Sequence, residues 1–73
     1  MGKNQHVVKH PLGWAVKGAN NGKATVVTET KKEAVDAGKS IAKHQHSELI
    51  IHGKNGRIQE KNTYGPDAFP PKG

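Results

Sequence analysis

The strongest constraint in this chain is the Asn55-Gly56 pair, set between the apolar, β-prone run Glu48-Leu49-Ile50-Ile51-His52 and the run Arg57-Ile58-Gln59-Glu60-Lys61. Asn-Gly between two such runs is the best short-range hairpin signal, because a two-residue turn asks both of its residues for positive φ. A two-residue turn would place Lys54 directly opposite Arg57. Like charges in that position are mildly destabilising, so stability does not account for them and an anionic partner at the tip does. The same register puts Leu49, Ile51, Gly53 and Ile58 on a core face. It puts Ile50, His52, Lys54, Arg57, Gln59 and Lys61 on a basic one.

The rest of the chain supplies what this hairpin needs to pack against. Gln5–His10 reads as a first strand, turned at His10-Pro11-Leu12-Gly13 into Trp14-Ala15-Val16-Lys17. A second Asn-Gly turn, Asn21-Gly22, leads into Ala24–Thr28. With those two residues as the turn, Val16 falls opposite Val27, and Trp14, Val16 and Val27 share a face. Thr30-Lys31-Lys32-Glu33 is a capping box that opens a helix reaching about Lys43–Gln45. Ala34, Val35, Gly38, Ile41 and Ala42 form its buried stripe, and the small residues among them imply close approach to the sheet. The expected fold is α+β, in the order β-β-β-α-β-β, with an antiparallel sheet and one helix packed on one face.

One compact domain over 1–63 is expected, followed by a Pro/Gly-rich tail over 64–73. The tail holds three of the four prolines, together with Tyr64 and Phe69, and cannot pair as a central strand. Pinning near Tyr64 and fraying beyond it is the reading adopted.

With 73 residues, 32% of them apolar, the chain lies near the lower limit for a self-sufficient core. Cysteine is absent, which excludes disulfides and thiolate metal sites. No apolar run is long enough for a signal h-region or a membrane span, so a cytoplasmic protein with no membrane partner is expected. A formal net charge of +6 favours a polyanionic partner, although net charge alone does not show clustering.

No catalytic constellation is visible. Ser40 and Ser47 lack a triad setting, and Gly53-Lys54-Asn55-Gly56 is too short for a P-loop. The chain therefore reads as a non-enzyme without a cofactor. Five histidines (His6, His10, His44, His46 and His52) show no metal-ligand spacing, and a surface role is preferred for them. Lys32, Lys39 and Lys43 share the outer face of the helix with Asp36, an ordinary solvated surface. Trp14 reads as core rather than as a stacking platform.

Two functional readings follow. The leading one is nucleic-acid binding, to duplex DNA or RNA with low sequence specificity. Lys54 and Arg57 would hold phosphates, Gln59 or His52 would reach deeper, and Lys61, Lys9 and Lys17 would add charge. The rival is a protein-interaction or homodimeric assembly module, in which Val8, Val26 and Ile50 form an apolar patch on the sheet face away from the helix.

Taken together, several segments resemble a known family. They are His6-Val7-Val8, Gly13-Trp14-Ala15-Val16-Lys17, Thr30-Lys31-Lys32-Glu33-Ala34, Glu48–Gly53, Gly56-Arg57-Ile58 and the tail from Tyr64-Gly65 to Pro70-Pro71-Lys72-Gly73. The family is the small bacterial and phage group known as domain of unknown function 2188. The resemblance covers nearly the whole chain and implies a compact bacterial or prophage-type protein whose tail belongs to the domain pattern. It implies no catalytic or binding residue. The three-strands-then-helix order is also similar to the sheet-reading DNA-binding domains of some phage integrases and plant transcription factors. That likeness is of fold alone.

Overall fold

The computed structural model describes residues 4–19 and 22–64. Its elements are β1 (Gln5–His10), β2 (Gly13–Gly18), β3 (Val26–Thr28), α1 (Lys31–Gln45), β4 (Glu48–His52) and β5 (Ile58–Thr63), which is the expected α+β order. They form one five-stranded sheet in the order β3-β2-β1-β4-β5, with α1 against one face.

The sheet is mixed rather than wholly antiparallel, because β1 and β4 pair in parallel. The cause is the helix. Two hairpins leave β3 running in the direction of β1, and a strand–helix–strand connection returns the chain in the direction it left. That return carries β4 past β2 to the free edge of β1, with Val7 opposite Ile51.

Helix α1 begins at the capping box: Glu33 N–H donates to Thr30 Oγ1, and Thr30 N–H donates to Glu33 Oε1, each at 3.2 Å. It ends with His46 in the left-handed region at φ 52°, where Ser47 N–H reaches Ala42 O at 3.0 Å and His46 N–H reaches Lys43 O at 3.3 Å. These bonds satisfy the last carbonyls as a glycine terminator would. Ala34, Gly38 and Ala42 are buried, and the core beneath them is Val7, Trp14, Val16, Leu49 and Ile51. Trp14 is 7% exposed, a core residue as expected.

Both hairpin registers differ from the sequence expectation. Asn21 lies outside the described residues, but the flanking strands show Val16 opposite Val26 and Ala15 opposite Val27. Val26 therefore packs on the core, and Val27 faces away from the helix.

In the second hairpin Gly56 takes φ 85°, while Asn55 is not among the positive-φ residues. Gly56 N–H closes a turn on Gly53 O at 3.0 Å, and Gly53 N–H donates to Arg57 O at 2.7 Å. This is a three-residue loop, Lys54-Asn55-Gly56, ending on a left-handed glycine. Gly53, not Lys54, therefore faces Arg57, and the opposed pair of cations does not form. Farther along, Ile51 pairs with Glu60 but His52 pairs with Ile58, leaving Gln59 as an extra residue in a bulge. Ile58 is consequently turned out of the core and is 63% exposed.

Strand β5 runs to Thr63, two residues beyond the run 57–61 expected for the last strand. Tyr64 is pinned as expected: its N–H donates to Ser47 O at 3.0 Å and its ring packs against the core. Residues 65–73 lie outside the described residues. Among the described residues, no helix is long and apolar enough to cross a membrane.

Candidate functional site

The predicted cations divide into two groups. The first surrounds Trp14, at the end of the sheet where α1 begins and the β4–β5 loop turns. An open groove of about 400 Å³ is lined there by Trp14, Lys31, Lys54, Asn55 and Gln59. Lys31 Nζ lies 5.0 Å and Lys9 Nζ 5.7 Å from the centre of the Trp14 ring, within reach of the attraction between a cation and an aromatic face. Lys9 is further tied down by donating to Gly13 O at 2.8 Å and to His10 O at 3.0 Å.

Lys31 was absent from the predicted site and Gln59 was expected on the opposite, basic face; the bulge accounts for both. It brings Gln59 to the helix side, where Lys31 Nζ donates to its Oε1. Gly53 makes this crossing possible, since a Cβ there would lie 2.9 Å from Gln59 Nε2 and 3.0 Å from its Cδ. Lys31 was legible only as the first helical residue after the cap. Its place in the groove depends on the loop type.

The second group lies on the sheet face away from α1. His6 and His52 meet there, with His6 Nδ1 2.9 Å from His52 Nε2 and the ring centres 5.2 Å apart. The centre separation equals the N···N distance plus roughly one ring radius on each side, so the rings meet edge to edge through one N–H···N bond. His52 Nδ1 lies 3.1 Å from Gly56 O. A carbonyl only accepts, so His52 donates from Nδ1, presents a bare Nε2 and receives the His6 Nδ1 proton. His52 is thereby committed to the loop and to His6 rather than free to reach a ligand.

Lys17 sits opposite His6 on β2, and Lys61 opposite Ile50 on β5. Lys61 is ion-paired with Glu48 at 3.4 Å. By contrast, the side chains of Lys17, Lys54 and Arg57 hold no hydrogen-bond or ion-pair partner among the described residues. No cluster of three or more metal-ligating groups occurs among the described residues.

Burial, and next the neighbouring His52, lowers the pKa of His6 below its ordinary 6.5. The neutral form is thus favoured by folding. Its contribution to stability is complete above pH 6.5 and is lost as pH falls through the lowered folded value. The urea midpoint in chelated buffer is expected to hold from pH 8 to 7 and to fall below about pH 6.5. The His6→Gln protein should show a shallower fall between pH 7.5 and 5.0; an equal slope would contradict the assignment.

Residues 5–64 match the family model described as an uncharacterized protein conserved in bacteria, DUF2188. The chain belongs to the DUF2188 family. Among its DUF2188 relatives is the protein printed as "Uncharacterized protein YdaT" of Bacillus subtilis (strain 168), 43% identical over 65 residues. Those residues are 89% of this chain and 43% of that relative, so the chain spans less than half the length of the curated relative it matches. No solved structure matches. Among the described residues, the matched DUF2188 segment contains every strand, the helix, the Trp14 groove and the histidine pair.

Proposed function

We propose that this DUF2188 protein is a non-enzymatic binder of nucleic acid, contacting the phosphate backbone of duplex DNA or RNA with little sequence preference. The observation that carries this reading is the Trp14 groove, which is lined by two lysines and two amides and by no carboxylate. Lys54 and Lys31 hold phosphates from the groove, Arg57 does so from the loop exit, and Lys9 adds charge beside Trp14. Lys17 and Lys61 lie on the other face of the sheet, and Glu48 offsets much of the Lys61 charge. They are auxiliary at most.

Binding of labelled duplex DNA and duplex RNA across a salt series tests this reading. Each phosphate-contacting cation removed lowers the slope of log K against log salt by about one unit. The Lys54→Ala, Arg57→Ala double variant should therefore lose about two units. An unchanged slope and affinity in that variant would rule out this surface.

A second reading, assembly through the open sheet face, is favoured by one observation. Val27 and Ile58 are 43% and 63% exposed, and the register turns both onto the face away from the helix, with half-buried Val8 between them, whereas Ile50, expected in this patch, is buried. Edge-to-edge pairing is the less favourable way to dimerise, since edge strand β5 carries Glu60 and Lys61 at its centre. A dimer mass by ultracentrifugation, together with no retention of DNA or RNA at physiological salt, would select assembly over nucleic-acid binding.

A further inference from the structure

We infer that the Trp14 groove is a preorganised seat for a single phosphate group, recognised by hydrogen-bond donation as well as by charge. The inference rests on the reading of this surface as phosphate-binding and specifies how a phosphate is held. Its basis is an inventory of the lining side chains. Asn55 Oδ1 already accepts the Arg57 backbone N–H at 3.0 Å, and Gln59 Oε1 already accepts from Lys31 Nζ. Each amide oxygen thus already accepts one bond within the protein, which leaves Asn55 Nδ2 and Gln59 Nε2 as the groups readiest to serve a ligand.

Lys31 has further ammonium protons after its bond to Gln59, and Lys54 has all three. Trp14 has no acceptor of its own. The side chains of the groove therefore offer donors from three elements (β2, the start of α1, and the β4–β5 hairpin), against which a phosphate presents mainly acceptors. A ligand that must itself donate finds only two amide oxygens there, each already accepting one bond.

The donors are also held in place. Lys31 is fixed between the Trp14 ring and Gln59. Asn55 is fixed by the turn, and the Gln59 amide lies over Gly53, where any side chain would displace it. A cationic surface that merely attracts polyanions needs none of this. Gly53→Ala therefore separates the two cases: it leaves net charge and cations untouched and disturbs only the two neutral amides, Gln59 and, with its Oδ1 3.3 Å from the added Cβ, Asn55. Gly53 has no positive φ, so alanine fits its backbone.

The same chemistry is available from a phosphorylated small molecule or from the backbone of a polynucleotide, and the test distinguishes them. Trp14 is the single tryptophan of the chain and lines the groove, so its fluorescence reports occupancy directly. The full chain is titrated with inorganic phosphate, adenosine 5′-monophosphate, adenosine and a short DNA duplex. The expected result is a saturable change with phosphate and the monophosphate and none with adenosine. Lys31→Ala, Gln59→Ala and Gly53→Ala should each weaken binding by about tenfold, while Lys39→Ala on the outer face of the helix leaves it unchanged.

If only the duplex responds, and the response is lost in Gln59→Ala and Gly53→Ala, the seat stands and its phosphate is that of a polynucleotide. A duplex response indifferent to Gln59 and Gly53 overturns the seat and leaves nucleic-acid binding in place. An equal response to adenosine overturns the seat as well. Silence toward every probe, with no duplex binding by anisotropy, overturns both readings.

Discussion

Replacing Gly13 by alanine is expected to abolish most of the stability of this protein. Gly13 opens β2 at φ 142°, a conformation that L side chains rarely adopt. A Cβ there would lie 2.2 Å from Thr28 O, 2.8 Å from Glu29 O and 2.9 Å from Glu29 Cα. All three atoms belong to backbone, so no rotamer change relieves the overlap. The segment Thr28–Glu29 leads into Thr30, the N-cap, and moving it would disturb the pairing of Trp14 with Thr28 and the capping box together. A cost of at least about 3 kcal/mol follows from combined strain and overlap. A chain of this length has a total stability of roughly 4–11 kcal/mol. Thermal unfolding by circular dichroism should show a Tm lower by about 12–24 °C, or no cooperative transition. A Tm within about 4 °C of the parent would contradict the geometry.

The parts of the fold that were legible in the sequence are those set by local chemistry. Thr30 and Glu33 satisfy each other's amides wherever they stand three apart at a helix start, and the Ala34–Gly38–Ala42 stripe has one way to face a sheet. The strands flanking each turn were legible for the same reason. Register was not. An Asn-Gly pair is compatible with a two-residue turn in which both residues are left-handed and with a three-residue loop in which only the glycine is. The structure takes the second at Gly56, and that choice separates Lys54 from Arg57 and, with the bulge at Gln59, exposes Ile58 and sends Gln59 to Lys31.

The candidate site was legible in the same uneven way. Lys54 lines the groove and Lys9 stands beside Trp14, but Lys31 and Gln59 belong to the groove through loop geometry that composition does not encode. His6 and His52, 46 residues apart, meet only because the helix returns the chain parallel to β1. Hairpin reasoning pairs neighbours in sequence and has no means of finding that contact. The family resemblance ran through the tail to Gly73, whereas the family model matches residues 5–64, and it supplied no functional residue.

The packing of α1 on the sheet makes the second large effect a conditional one. Leu49 is fully buried and is the largest such side chain among the described residues. Leu49→Ala should cost about 2–5 kcal/mol through lost burial and the cavity left behind, a large share of the roughly 4–11 kcal/mol available. Directly above it lies Gly38, where a Cβ would stand 2.7 Å from Leu49 Cδ1 and 3.3 Å from Val7 Cγ2. In the parent, Gly38→Ala gains up to about 1 kcal/mol of helix propensity but forces Leu49 from its place, an overpacking cost of about 1–3 kcal/mol. The net effect is destabilising.

With Leu49 already shortened, the obstructing methyl is gone. The alanine at position 38 then recovers its propensity and fills part of the cavity. Gly38→Ala should accordingly change sign, destabilising the parent and stabilising the Leu49→Ala protein, with a coupling of about 1–3 kcal/mol between the two positions. Urea denaturation of the four proteins measures that coupling, and Leu49→Val serves in place of alanine if the larger truncation leaves no cooperative transition. Destabilisation by Gly38→Ala of equal size in both backgrounds would mean that glycine is there for a reason other than the approach of Leu49. A reversal of sign would establish that the small-residue stripe of the helix is matched to the bulk of the sheet beneath it.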